Sequence, residues 1–168
     1  GVGVILKMVE HNKLVLLNET INALQMSLED LLAFAKRTKE DAIASPGAAV
    51  SHSDTSKNQL QILTYGLDKR IYRMRAELSS LRGYRTSERF VVSLGALVYL
   101  EEQSNGERRY YCVFPAGAGE SFVTHEGKVN IITPNSPLFI AMRGKQEGDE
   151  FSFRLNNRES EYCILSIQ

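Results

Sequence analysis

Residues 51–54, Ser-His-Ser-Asp, place hydroxyl, imidazole and carboxylate side chains next to one another, the types that nucleophilic catalysis uses. Neighbours in sequence rarely reach triad geometry, because the three groups ordinarily converge from distant segments. A metal reading is no stronger. Asp54 is the one carboxylate of the stretch 45–58, beside His52 and Lys57, and a single acid is a weak ligand set. Cys112 and Cys163 lie in the apolar runs YYCVF and YCILSI, and neither has a second Cys or a His at zinc spacing. Both read as small buried hydrophobes. His11, His52 and His125 are scattered over a helix start, a loop and a turn, and no phosphate-cradling glycine loop occurs. Residue types and spacing alone therefore point to no reaction.

The segments on either side of the tip explain how it is held. From Leu17 the apolar residues step by four and three through Ile21, Leu24, Leu28, Leu31 and Ala35, a heptad seam. A second seam runs from Leu60 through Leu67, Ile71, Met74, Leu78 and Leu81, with Thr64 intruding and Leu63 beside it. Two seams predict two facing helices. Between them Pro46 and Gly47 end the first, and Ser53 or Asp54 is placed to cap the second, so the pair is an antiparallel hairpin. A helix of about 30 residues is about 45 Å long at 1.5 Å per residue, the dimension of a probe or lever. Lys69, Arg70, Arg73, Arg75, Arg82, Arg85 and Arg89 make the returning helix basic, a run suited to phosphates or an acidic surface, with Arg70, Arg73 and Arg82 as its chief candidates. No aromatic residues interleave with the run as a single-strand platform requires.

After Arg89 the period changes. FVVSLGALVYLEE, RRYYCVFPAG, KVNIITP, EFSFRLN and SEYCILSI are β-branched and aromatic runs separated by turn-forming stretches, predicting five strands in an antiparallel sheet. SPLFIAMRG between them predicts a short helix, with Pro137 in its first turn and Gly144 at its end. The fold class is α+β: a helical hairpin over residues 1–85, then a small sheet domain over 86–168.

Charge follows the same division. The chain of 168 residues has no net charge at neutral pH, but residues 1–89 hold 13 basic against 10 acidic side chains, and residues 90–168 hold 7 against 10. Such a balance argues against bulk coating of nucleic acid. No apolar run approaches the roughly 18 residues needed to span a bilayer, and GVGVILK is too short for a signal peptide and carries its Lys on the wrong side. A soluble, cytoplasmic protein without membrane contact is expected.

The sheet half resembles a known family. Gly95 and Ala96, Ser136 and Pro137, Gly144 and Lys145, Gly148 and Asp149, then Glu159, Glu161 and Tyr162 stand in the order and spacing of the carboxyl-terminal domain of the bacterial transcript cleavage factors GreA and GreB. The amino-terminal half is similar in architecture, and KRIYRMRAEL looks like that family's returning helix. The resemblance implies an FKBP-like sheet that docks on the rim of RNA polymerase, here around Ser136, Pro137 and Leu138, and a coiled coil that enters the secondary channel and reaches the RNA transcript. It also implies an acidic pair at the tip, an Asp and a Glu three residues later, which beside the polymerase's metal can hold a second Mg²⁺ and orient a water. The chain departs from that pattern. Its tip is His52, Ser53, Asp54 and Lys57, with Lys57 on the Glu position; a registration one turn shorter places the pair on Val50 and Ser53, which restores no acid.

The resulting expectation is a transcription elongation regulator of Gre type, a monomer that occupies the channel with weak or no stimulation of cleavage. It is not itself an enzyme, and it has no intrinsic cofactor, any Mg²⁺ being shared with the polymerase. Three alternatives stay open. One is a cleavage-competent factor using Asp54 with Glu40 or Asp41. The others are a prolyl isomerase of FKBP type, which lacks an evident aromatic pocket, and a scaffold that dimerises through its coiled coil.

Overall fold

The computed structural model describes the backbone of residues 7–44 and 53–168, and the side chains of 7–41 and 57–168. Two long helices come first, α1 (Lys13–Ala44, 32 residues) and α2 (Ser53–Arg82, 30 residues). At 1.5 Å per residue they measure about 48 and 45 Å. Asn12 opens α1: its Oδ1 accepts the amides of Leu14 at 2.9 Å and Val15 at 3.3 Å, which would otherwise lack partners.

The two seams are buried as their spacing predicts. Leu17, Leu24, Leu28 and Ala35 on α1, and Leu67, Ile71, Leu78 and Leu81 on α2, are all less than 9 % exposed. Lys39 Nζ stands 3.6 Å from Asp68 Oδ1, and Leu32, Ala35, Ile71 and Arg75 line one groove between the helices. The facing residues thus count up on one helix as they count down on the other, the register of an antiparallel pair.

The sheet has seven strands in the order β1-β4-β5-β3-β2-β7-β6. They are β1 (Met8–Val9), β2 (Leu97–Glu102), β3 (Arg108–Val113), β4 (Ser121–Thr124), β5 (Gly127–Ile132), β6 (Glu150–Leu155) and β7 (Arg158–Ile167), with α3 (Pro137–Met142) between β5 and β6. Five of these were legible in the sequence; β1 and β4 were not. The direction of pairing also differs from the expected antiparallel sheet. β2–β3, β2–β7, β4–β5 and β6–β7 are antiparallel, but β3–β5 and β1–β4 are parallel. The stretch 114–126, which holds β4, lets the chain cross back so that β5 runs alongside β3 in the same sense.

On one face Val98, Leu100, Val113 and Ile164 pack with Val92, Leu138, Phe139, Met142 and Phe151. The opposite face buries Leu97, Cys112, Val129 and Ile131. With both faces covered, β2 reads as a near-continuous apolar run rather than an alternating one.

By its contacts the chain forms two compact units, residues 1–21 with 80–168, and residues 22–79. The first turns of α1 and the last of α2 thus belong with the sheet, because β1 pairs with β4 and His11 is held by β4 as well.

Candidate functional site

The residues that carry the family pattern in the sheet are mostly structural. Gly95 has φ +90, and a Cβ there would overlap the Tyr84 hydroxyl, so both conformation and space require glycine. Lys13 extends from the start of α1 to the carbonyls of Ser87 and, at 3.1 Å, Gly95; burial lowers the pKa of its ammonium. Gly144, at φ +79 two residues after α3, gives its amide to Val92 O at 2.8 Å, which ties the segment before β2 to the end of the helix. In the turn before β6, Asp149 Oδ2 accepts the Gln146 amide at 2.7 Å and Gly148 takes φ +89. Asp149 therefore closes a turn, which accounts for an Asp at that spacing without any catalytic role.

Ser136, Pro137 and Leu138 sit at the start of α3. Ser136 is extended (φ −66, ψ 132) and half-buried, Pro137 occupies the first helical turn and is exposed, and Leu138 is buried in the core with Phe139 and Met142. Of these three, Ser136 and Pro137 offer side-chain surface to a partner. Ile140, one turn on and 59 % exposed, adds an apolar side chain that sequence reasoning did not name. A helical period fitted over so short a helix does not tell which side faces the sheet.

At the other candidate site, His52 lies outside the described residues, as does Val50. Ser53 and Asp54 are the first two residues of α2, their side chains outside the described set; Lys57 follows, exposed. Glu40 and Asp41 do not join them. The Lys39–Asp68 pair sets these residues at the level of about Leu67, which is thirteen residues beyond Asp54, or about 20 Å along the axis. Glu40 is occupied by Lys36 at 4.0 Å. Among the described residues no group of three or more His, Cys, Asp or Glu is placed to hold a metal ion. An exposed cation in the opening turns of α2 does not fit a Mg²⁺ pair, and no step through that metal follows from this arrangement.

The basic face is real and solvated. Arg70, Arg73 and Lys69 are exposed on α2 and form no ion pair with another described residue, while Arg82, exposed in the last turn, has partners. Tyr65 and Tyr72, 70 % and 77 % exposed, stand on the same helix, so aromatic side chains do interleave with the basic run, contrary to the sequence reading.

His11 serves the fold. Its Nδ1 is 3.0 Å from Thr124 Oγ1, its Nε2 3.3 Å from Glu126 Oε2, and its ring meets Tyr110 edge-on at 4.4 Å. Thr124 spends its own proton on Gly127 O at 2.7 Å, so it accepts from His11 Nδ1–H. Partners about a hundred residues away left no signal in the sequence.

The family described as "Transcription elongation factor, GreA/GreB, C-term" matches residues 87–168. Residues 87–168, a little under half of the chain, are thus similar to the GreA/GreB carboxyl-terminal domain. The transcription elongation factor GreA of Acinetobacter baumannii (strain SDF) is 32% identical over 77 residues, covering 46% of this chain and 45% of the relative. The match thus spans a little under half the length of that curated relative. Among solved structures, the transcription factor Gfh1 is 20% identical with a TM-score of 0.40, covering 97% of this chain and 99% of its own. GreA factor homolog 1 of Thermus thermophilus is 21% identical at a TM-score of 0.38, covering 88% and 94%. The GreA/GreB factor of Nitrosomonas europaea is 16% identical at 0.37, covering 68% and 94%. The Gre-type assignment rests on the sequence matches to the carboxyl-terminal domain. No described helix is long and apolar enough to cross a membrane.

Proposed function

We propose that this chain is a transcription elongation regulator that binds bacterial RNA polymerase through its Gre-type carboxyl-terminal domain. The helical hairpin enters the secondary channel, with weak or no stimulation of transcript cleavage. Supporting this reading is one combination: a carboxyl-terminal half similar to the GreA/GreB domain, preceded by two antiparallel helices of 32 and 30 residues, the returning one carrying a lysine, Lys57, three residues after Asp54, the one acid of its opening turns. A cation next to a lone carboxylate opposes metal binding, and the positive end of the α2 dipole is a poor place for it. Occupancy of the channel asks only for a stiff, narrow element, which the buried seams provide.

The test is binding to purified bacterial polymerase, followed by release of short 3′ RNA fragments from a backtracked complex at fixed Mg²⁺. Binding with feeble cleavage is expected, and Lys57→Glu should raise the cleavage. No binding would refute the reading. Strong cleavage by the parent, lost on Asp54→Asn, would replace it with a cleavage-competent factor.

A further inference from the structure

We propose that β6 is a self-association edge, at which two copies of the chain pair their β6 strands antiparallel about a two-fold axis at Ser152 and join their sheets in a reversible dimer. β6 is the last strand of the order, and among the described residues no other strand pairs with its outer side. The opposite edge is blunt, because β1 has only two residues. β6 has six, its register with β7 runs unshifted from Glu150 to Leu155, and it contains no proline. Native sheets ordinarily close their edges with short strands, bulges, prolines or lysines, and this one has none of them.

The backbone decides which residues face out. The amide of Ile164 donates to Asp149 O at 2.9 Å, and inward and outward bonding alternates along an antiparallel strand. Phe151, Phe153 and Leu155 therefore bond to β7, as the two-residue turn at Asn156 and Asn157 also requires. Glu150, Ser152 and Arg154 turn their amides and carbonyls to the open side, and their side chains are exposed.

Charge chooses the register and the occupant. A second β6 with its Ser152 opposite this Ser152 sets Glu150 opposite Arg154 of the other copy, and Arg154 opposite Glu150. A shift of two residues either way breaks both ion pairs. Arg154 is available, since it forms no ion pair with another described residue although Glu159 stands across from it on β7. Glu150 has a neutral partner, the Gln103 side-chain amide at 3.1 Å. On the other face the same register sets Phe151 opposite Phe153 of the second copy in the closer, non-hydrogen-bonded pairs, extending a row in which both rings already pack on Tyr162. A strand of unrelated sequence lacks this match, so the occupant is a second copy. Three hydrogen-bonded pairs supply about six backbone bonds, and one six-residue strand buries far less than a permanent dimer does, so monomer and dimer exchange with concentration. The contact lies wholly within the sheet unit and does not depend on polymerase binding.

Sedimentation equilibrium of the full chain, from low to high micromolar concentration, should show monomer passing to dimer. Glu150→Arg and Arg154→Glu each set like charges opposite one another twice in the dimer, and each should weaken it at least about fivefold. The two together restore opposite charges and should return the dimer to within about twofold of the parent. Ser152→Pro removes the amide at the axis and should abolish the dimer in a chain that still folds, because that amide faces away from β7. Glu150 and Arg154 are exposed, so the charge variants should melt like the parent in dilute solution. Hydrogen exchange at high concentration should be slowed at the amides of Glu150, Ser152 and Arg154. A chain that stays monomeric at every concentration would overturn the proposal. So would a dimer that both single reversals leave intact, that the double reversal fails to restore, or that Tyr72→Ala disperses instead, which would place the contact on the hairpin.

Discussion

Gly95→Ala tests the link between the Gre-type sequence pattern and the packing that requires it. Two costs add. An L residue at φ +90 is strained by about 1–2 kcal/mol, and the new methyl overlaps the Tyr84 hydroxyl. The ring has little room to retreat, because it lies 6.2 Å from Phe114, which is fully buried, so overpacking contributes a further 1–3 kcal/mol or so. The sum, about 2–5 kcal/mol, lowers the melting temperature by about 4–20 °C for a chain of this length. Tyr84→Phe separates the two. The Tyr84 hydroxyl is buried without a hydrogen-bond partner among the described residues, so its removal should change stability by less than about 1 kcal/mol, and toward stabilisation if at all. In that background Gly95→Ala keeps the backbone cost and loses most of the overlap, leaving Tyr84 Cζ at 3.2 Å as the nearest contact. A coupling of about 1–3 kcal/mol is expected between the two substitutions. Urea unfolding read by tyrosine fluorescence suits a chain without tryptophan. Costs that simply add, with coupling under about 0.5 kcal/mol, would refute the steric reasoning.

Pro137→Asp should reduce polymerase affinity at least tenfold with little change in melting, since Pro137 is exposed, whereas Leu138→Asp should unfold the sheet unit because Leu138 is in its core; equal effects of both on stability would contradict the burial of one and not the other. Burial pushes the Cys112 thiol up to about 12, so the native chain keeps a proton that the unfolded chain releases from about pH 9. Native protons then exceed unfolded ones, and stability falls through that window by up to about 1.4 kcal/mol per pH unit; Cys112→Ala, though less stable at neutral pH, should show a shallower alkaline decline in urea titrations. Removing charge from Arg70, Arg73 and Arg82 together should lower the association rate with polymerase at low salt and not at high salt, as stopped-flow measurements can show.

The hairpin was legible because its signal is periodic: Leu17 to Ala35 and Leu67 to Leu81 repeat often enough for spacing alone to define the buried seams. The sheet was legible where strands are long. β4 is four residues with a polar start, and β1 is two residues, too short for alternation to be seen. The parallel pairing of β3 with β5 depends on a crossover, and direction is not written in a strand's own residues. The β6–β7 turn had a local mark: Asn156 and Asn157 take φ of 52 and 63, the two positive values that a tight two-residue hairpin needs and that Asn tolerates. At the site level, Ser136, Pro137, Leu138 and Lys57 were named from the family pattern, which does not tell that Leu138 is buried while its neighbour Pro137 is exposed, and the outward pair Tyr65 and Tyr72 was overlooked because seven residues separate in sequence what two helical turns align.

Because β1 completes its pairing only with β4, the hairpin is an insertion within a unit that begins before it and ends after it. On the ribosome, residues 22–79 are all made before any of β4 exists, so the two helices have the chance to zip through local contacts while Met8 waits for Val123. The order of synthesis then works in favour of the slow step. A zipped hairpin holds the start of α1 and the end of α2 at a short span, replacing a loop of more than a hundred residues by a much shorter effective one when the sheet closes. The buried seams are therefore a kinetic aid to a sheet whose own contacts are distant in sequence.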